Sequence, residues 1–162
     1  MAKNLQYLLV FYFALFSAPS LAKTVDRILI EKDYRSMTLF DGDKVVKSYR
    51  IALGPEPVGH KVQEGDGRTP EGRYKITYKN PNSKFHLSLK ISYPNREDRK
   101  FARENGFSPG GDIMIHGLSP EYEYLGAVHF LYDWTDGCIA VSNSEIEEIW
   151  EWVSVGTEVL IY

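Results

Sequence analysis

Residues 133–143 read DWTDGCIAVSN. The stretch begins with polar turn-formers, passes through Gly137 to Cys138, and runs on through Ile139, Ala140 and Val141 to Ser142. Glycine permits a sharp turn or a close backbone approach, and the apolar run after it has strand character. The sequence SNSE at 142–145 is a capping box that opens a helix, along which Ile146, Ile149, Trp150 and Val153 recur at helical spacing. Gly156 is the expected breaker, and residues 157–162 form a closing β-rich strand.

The rest of the chain supplies short strands around this unit. Residues 25–30 and 36–40 read as strands, Asp41-Gly42 as a hairpin turn, and residues 44–53 as a further strand. Residues 72–78 and 87–93 are two more, and 112–117 is an apolar strand ending in His116 and Gly117. Pro94 and Asn95 stop the second of these, and residues 96–105 predict a polar helix ended by Gly106. Between them lies GPEPVGHKVQEGDGRTPE at 54–71, longer than a compact domain usually spends on a connection, which points to a functional loop. With 14% aromatics, 11 of them tyrosines, and 13 glycines, the composition suits short strands and tight turns. The expectation is a single, mostly β domain with one or two short helices.

The first 22 residues stand apart. MAKNLQYLLVFYFALFSAPSLA has an early cation, a short apolar run and a small-residue end, the pattern of a secretory signal. The apolar run falls short of the roughly 20 residues that span a bilayer. The expectation is a signal peptide over 1–22 and a secreted, folded domain over 23–162, not inserted in the membrane once the leader is cleaved, with an uncleaved anchor as the competing reading. The net charge of −3, from 19 basic and 22 acidic residues spread along the chain, offers no basic patch for nucleic acid.

Cys138 is the sole cysteine of the chain, so no internal disulfide can form. A lone thiol can be a buried small hydrophobe, an intermolecular crosslink, a metal ligand or a nucleophile. Metal binding needs three or four convergent ligands, and no CxxC or HExxH pattern is present. A nucleophile needs a base, because the attacking species is the thiolate. Of four histidines, His116 is the best placed, at a strand end beside Gly117; His60 lies in the long loop, and His86 and His129 read as structural. Glu145, Glu147 and Glu148 read as a solvated helix face.

Three ordered elements carry a resemblance: TPEG at 69–72, IHG at 115–117 and TDGCI at 135–139. Together they resemble the catalytic domain of the L,D-transpeptidase (YkuD-type) family. GHKVQEGDGRTPEGRYKI at 59–76 and SYPN at 92–95 are similar to a proteobacterial branch of it. The resemblance implies a β-sandwich-like fold of mixed sheets with one or two short helices. It also implies acyl transfer on peptidoglycan stem peptides, with Cys138 as nucleophile and His116 as base, and no cofactor or metal. Gly137, Gly117 and Asp136 then supply the backbone and oxyanion environment, with the Cys138 amide. Thr135, Tyr93, Arg68, His60 and Trp134 are candidates for substrate contact, a packing role for Trp134 and a plain loop role for His60 and Arg68 staying open. An amine acceptor gives a crosslink. Water gives an L,D-carboxypeptidase, and an outer-membrane lipoprotein as partner gives attachment or its release by an amidase. A non-catalytic peptidoglycan-binding module is the reading from another class. The chain departs from the family at two positions: Asp136 stands where a histidine is common, and Ala140 where an arginine is frequent.

Overall fold

The computed structural model describes residues 24–162; the leader expected over 1–22 lies outside them. Eight strands form a mixed sheet in the order β3-β2-β1-β8-β4-β5-β6-β7. In chain order they are β1 (Val25–Glu31), β2 (Ser36–Asp41), β3 (Lys44–Arg50), β4 (Gly72–Ser83), β5 (His86–Ile91), β6 (Met114–His116), β7 (Ile139–Ala140) and β8 (Val153–Ile161). Two helices, α1 (Arg96–Glu104) and α2 (Asn143–Trp152), and 3₁₀ turns over Glu123–Leu131 complete the set. The fold is mostly β with few short helices, as expected.

Alternation builds the core. Ile28 and Ile30 of β1, Met37 and Leu39 of β2, Leu89 and Ile91 of β5, and Val159 and Ile161 of β8 are all buried, and Ile146 and Ile149 of α2 pack on them. Period-two and helical-period burial thus point to one centre. β1–β8 and β6–β7 are parallel; the other pairings are antiparallel. β4 joins the two halves: Gly72 to Lys75 pair with β8, and Ile76 to Ser83 pair with β5 across two register shifts. Such irregularities increase twist and bend the strand. The sheet curls far enough that Ala52, just beyond β3, exchanges both backbone hydrogen bonds with Ala140 of β7, at 3.0 and 2.9 Å.

α2 opens on the capping box read from the sequence: Ser142 Oγ accepts from the Glu145 amide, and the Glu145 carboxylate accepts from the Ser142 amide. Its end differs from expectation. The helix stops at Trp152, and Gly156 lies inside β8 with φ +97°. The stop comes earlier because Val153 is already extended, pairing with Val25, while Lys79 Nζ donates to the carbonyls of Trp150 and Val153. A cation on the last carbonyls does the capping that glycine was expected to do. The helix glutamates are engaged too: Glu148 with Lys47 and Tyr49, Glu147 with His86.

The long loop at 54–71 is pinned at three points. Buried Lys32 donates to the carbonyls of Gly59 and Thr69 and to Glu71, at 2.6, 3.0 and 2.8 Å. His60 Nδ1 accepts from the Glu71 amide, so its proton sits on Nε2, which faces Asp98 at 3.1 Å. Asp66 accepts from Lys61 Nζ and from the amides of Val62, Gln63 and Arg68. Asp66→Asn keeps the shape and leaves the buried Lys61 ammonium without its counter-ion. The variant is expected to lose about 2 kcal/mol in urea denaturation, and an unchanged midpoint would show that the pair does not hold the loop.

Candidate active site

Cys138 is positioned by a turn whose polar groups are fixed from outside. Asp133 is held by Arg35 at 2.5 to 3.0 Å and accepts from the Leu53 amide at 2.9 Å. Thr135 anchors the next step: its amide donates to the Leu53 carbonyl at 3.0 Å, and its hydroxyl donates to the Cys138 carbonyl at 2.8 Å. The same hydroxyl accepts from the Gly137 amide at 3.1 Å, while the Gly137 carbonyl accepts from Thr69 Oγ1 at 2.9 Å. Thr69 of the TPEG element therefore braces the peptide unit before the cysteine. Gly137 has φ +115°, and a Cβ there would lie 2.3 Å from the Arg68 carbonyl oxygen.

β7 delivers the cysteine beside β6. Ile115 pairs with Ile139 and His116 with Ala140, in parallel. Extending that register sets Cys138 opposite Met114, with His116 two residues along on the same face of the sheet. Both Cys138 and His116 line one open cleft of about 840 Å3, whose walls also include Trp134, Thr135, Asp136 and Lys61. The thiol is half-buried, and Sγ points at the Asp112 carbonyl at 3.5 Å.

His116 is buried, stacked on Phe85 with ring centroids 4.4 Å apart and edge-on to Trp134 at 5.9 Å. Its Nδ1 is 2.6 Å from the Gly117 carbonyl. A carbonyl only accepts, so Nδ1 carries the proton and Nε2 keeps its lone pair. Burial drives the pKa down to about 4, against a smaller upward pull from the Gly117 carbonyl, and His129 and Lys84 push it lower still. The Cys138 thiol is pushed the other way. Burial raises it most, the Met114 amide lowers it, Asp136 and Asp112 raise it, and Lys61 lowers it. The resting pair is neutral thiol and neutral imidazole, an arrangement suited to proton transfer during attack.

The buried neutral histidine fixes a stability trend. Between about pH 6.5 and 4 the unfolded chain binds a proton at residue 116 that the folded chain refuses, so stability falls as pH drops through that window. Below it, Asp98 and Asp66 act in the same direction. Both are held under the ordinary carboxylate value by hydrogen bonds that outweigh burial, and their contribution is lost as pH falls through those lowered values. Urea midpoints are expected to drop between pH 7 and 4.5, and His116→Gln is expected to remove about 2 kcal/mol of that drop. An equal drop in the variant would assign it elsewhere.

Several other residues singled out in the sequence are not among those lining the cleft. Tyr93 is buried, donating to the Pro109 carbonyl at 2.8 Å, and His60 is turned to Asp98 and Glu71. The Arg68 carbonyl packs on Gly137, and its side chain reaches toward Gly59. Gly117 spends its amide on the Leu87 carbonyl, and a Cβ there would lie 2.6 Å from Asn143 Oδ1. His129 is buried with Nε2 4.0 Å from Glu145. Asp136 is exposed within the cleft. Arg35, Lys32 and Asp133 were missed in the sequence, since charged residues in turns carry no local signal of a distant partner.

The L,D-transpeptidase catalytic domain (YkuD) model matches residues 25–161, and the chain belongs to that family. It is similar to YafK of Escherichia coli (strain K12), 27% identical over 133 residues that cover 78% of this chain and 46% of YafK. It is likewise similar to YqjB of Bacillus subtilis (strain 168), 26% identical over 135 residues, covering 83% of this chain and 69% of YqjB. The L,D-transpeptidase names of both are provisional. Among solved structures it is similar to the helical cell shape determining protein Pgp2 of Campylobacter jejuni, with TM-score 0.65, 26% identity, and coverage of 86% of this chain and 48% of that one. The chain thus spans about half the length of YafK and of Pgp2.

Proposed function

We propose that the chain is a periplasmic cysteine acyl transferase acting on peptidoglycan stem peptides. The observation that carries this reading is that Cys138, immediately before β7, and His116, on the adjacent parallel strand β6, line one cleft, with the His116 proton held on Nδ1 by Gly117. Cys138 Sγ attacks the carbonyl at the L-centre of a diamino acid as His116 Nε2 takes the thiol proton, and the terminal D-alanine leaves with that proton on its nitrogen. An incoming amine then reverses these roles and releases the acyl group. The Gly137 amide already donates to Thr135 Oγ1, so the Cys138 amide is the proposed oxyanion donor.

The test is incubation of the reduced protein with tetrapeptide muropeptides, followed by mass spectrometry. A Cys138-linked acyl-enzyme and a new crosslinked or trimmed product are expected. Absence of both, or the same products from Cys138→Ala, would sink the reading. A crosslink, a shortened stem and a released protein differ in mass, so the same spectra assign the acceptor.

A further inference from the structure

Most charges around the cleft are neutralised within the protein. Lys61 is closed by Asp66 at 2.7 Å, Asp112 by Lys90 at 2.5 Å, and Glu64 accepts from Ser108 at 2.9 Å. Two side chains are left open. Lys84 lies over the Phe85 ring at 5.1 Å. Asp136 is exposed and has no hydrogen bond or ion pair among the described residues. It directly precedes the Gly137-Cys138 turn, close enough for its charge to act on Sγ.

A free carboxylate at this point works against ionisation of the thiol. Its charge gains a favourable role only from a cation that enters the cleft. Asp136 and Cys138 line the same open cleft, and Asp136 is two residues from the thiol, so an amine that reaches the thioester through this cleft comes within range of its charge.

We propose that Asp136 selects the amine that attacks the Cys138 thioester, favouring a cationic amine with no adjacent carboxylate over an amino acid whose own carboxylate would face it. The inference rests on the acyl-transfer reading above and adds the charge class of the acceptor. The ammonium held near Asp136 loses one proton to solvent. The free amine then attacks, the C–N bond forms as the C–S bond breaks, and the second proton passes from nitrogen through His116 to Sγ. Asp136 takes part in neither bond; it is a specificity residue. Because it is exposed, selection on the order of fivefold is expected, and it weakens with salt.

D-Alaninamide and D-alanine differ in the carboxylate and in the basicity of the amine, a difference common to all variants, so the change in their competition ratio for the muropeptide acyl-enzyme between wild type and variant reads this selection. The wild type is expected to favour D-alaninamide. Asp136→Asn is expected to lower the ratio about fivefold, and Asp136→Glu to retain it. A second measurement needs no turnover: the rates at which cationic aminoethyl and anionic sulfonatoethyl methanethiosulfonate modify Cys138. Their ratio is expected to fall in Asp136→Asn and hold in Asp136→Glu. An unchanged reagent ratio in Asp136→Asn overturns the proposal whatever the turnover. A fallen reagent ratio with an unchanged acceptor ratio overturns acceptor selection. Absence of any acyl-enzyme overturns the acyl-transfer reading itself and this role with it, and mass spectrometry separates that outcome from the others.

Discussion

Replacing His116 by alanine is expected to slow acylation of Cys138 by roughly 10²–10⁴, the usual range for loss of a positioned general base. The pH profile carries more information than the rate. With His116 present, the base is neutral above about pH 4 and the thiol is held protonated by burial and by two carboxylates. Acylation should therefore rise through the acid limb and then level off. Without the imidazole, attack depends on thiolate formed by solvent, and the rate should climb tenfold per pH unit across neutrality. A variant that keeps the plateau would show that another group removes the proton, and His116 would then be only a packing partner of Phe85 and Trp134.

Gly137→Ala is the substitution expected to harm both fold and site. Alanine at φ +115° is strained whatever the space, and its Cβ meets a backbone oxygen at 2.3 Å, which cannot swing aside as a side chain could. Backbone strain of about 1–3 kcal/mol and overpacking of about 1–3 kcal/mol together place the loss at about 2–6 kcal/mol. Relief requires parting residues 68 and 137, which breaks the Thr69–Gly137 hydrogen bond and rotates the turn that aims Sγ. Thermal melting and acyl-enzyme yield should fall together. A folded variant with normal yield would show that the turn tolerates a wide range of thiol positions.

Much of the architecture was legible from local signals. The capping box of α2 and the alternation in β1 and β2 describe interactions within a few residues, which the sequence records directly. The site was legible as three separate motifs, and in the folded chain each has a distinct part, with Thr69 bracing the turn, His116 lining the same cleft as the thiol and Gly137 clearing space. What the sequence did not disclose is long-range. Arg35 and Asp133 are 98 positions apart, and Lys32 reaches the loop across 37 positions to Thr69. Neither type of residue announces a partner, and the curl of the sheet is what brings them together. Gly156 misled for a related reason: the helix end was decided by Lys79 from another strand. Likewise Tyr93 and His60 stand near the motifs in sequence, yet the fold turns their side chains to supporting contacts.

The two hydrogen bonds between Ala52 and Ala140 join opposite margins of the sheet, on the strand that follows Cys138. Binding loops and lids are drawn from the loose end of a fold, but this strand is the clasp. Its outer side is occupied, so no foreign strand can zip onto it. Amide exchange at Ala52 and Ala140 should therefore track unfastening of the whole roll rather than local breathing. Inactivation by heat or urea is then one event with unfolding, and the thiol becomes indiscriminately reactive only when the fold is lost.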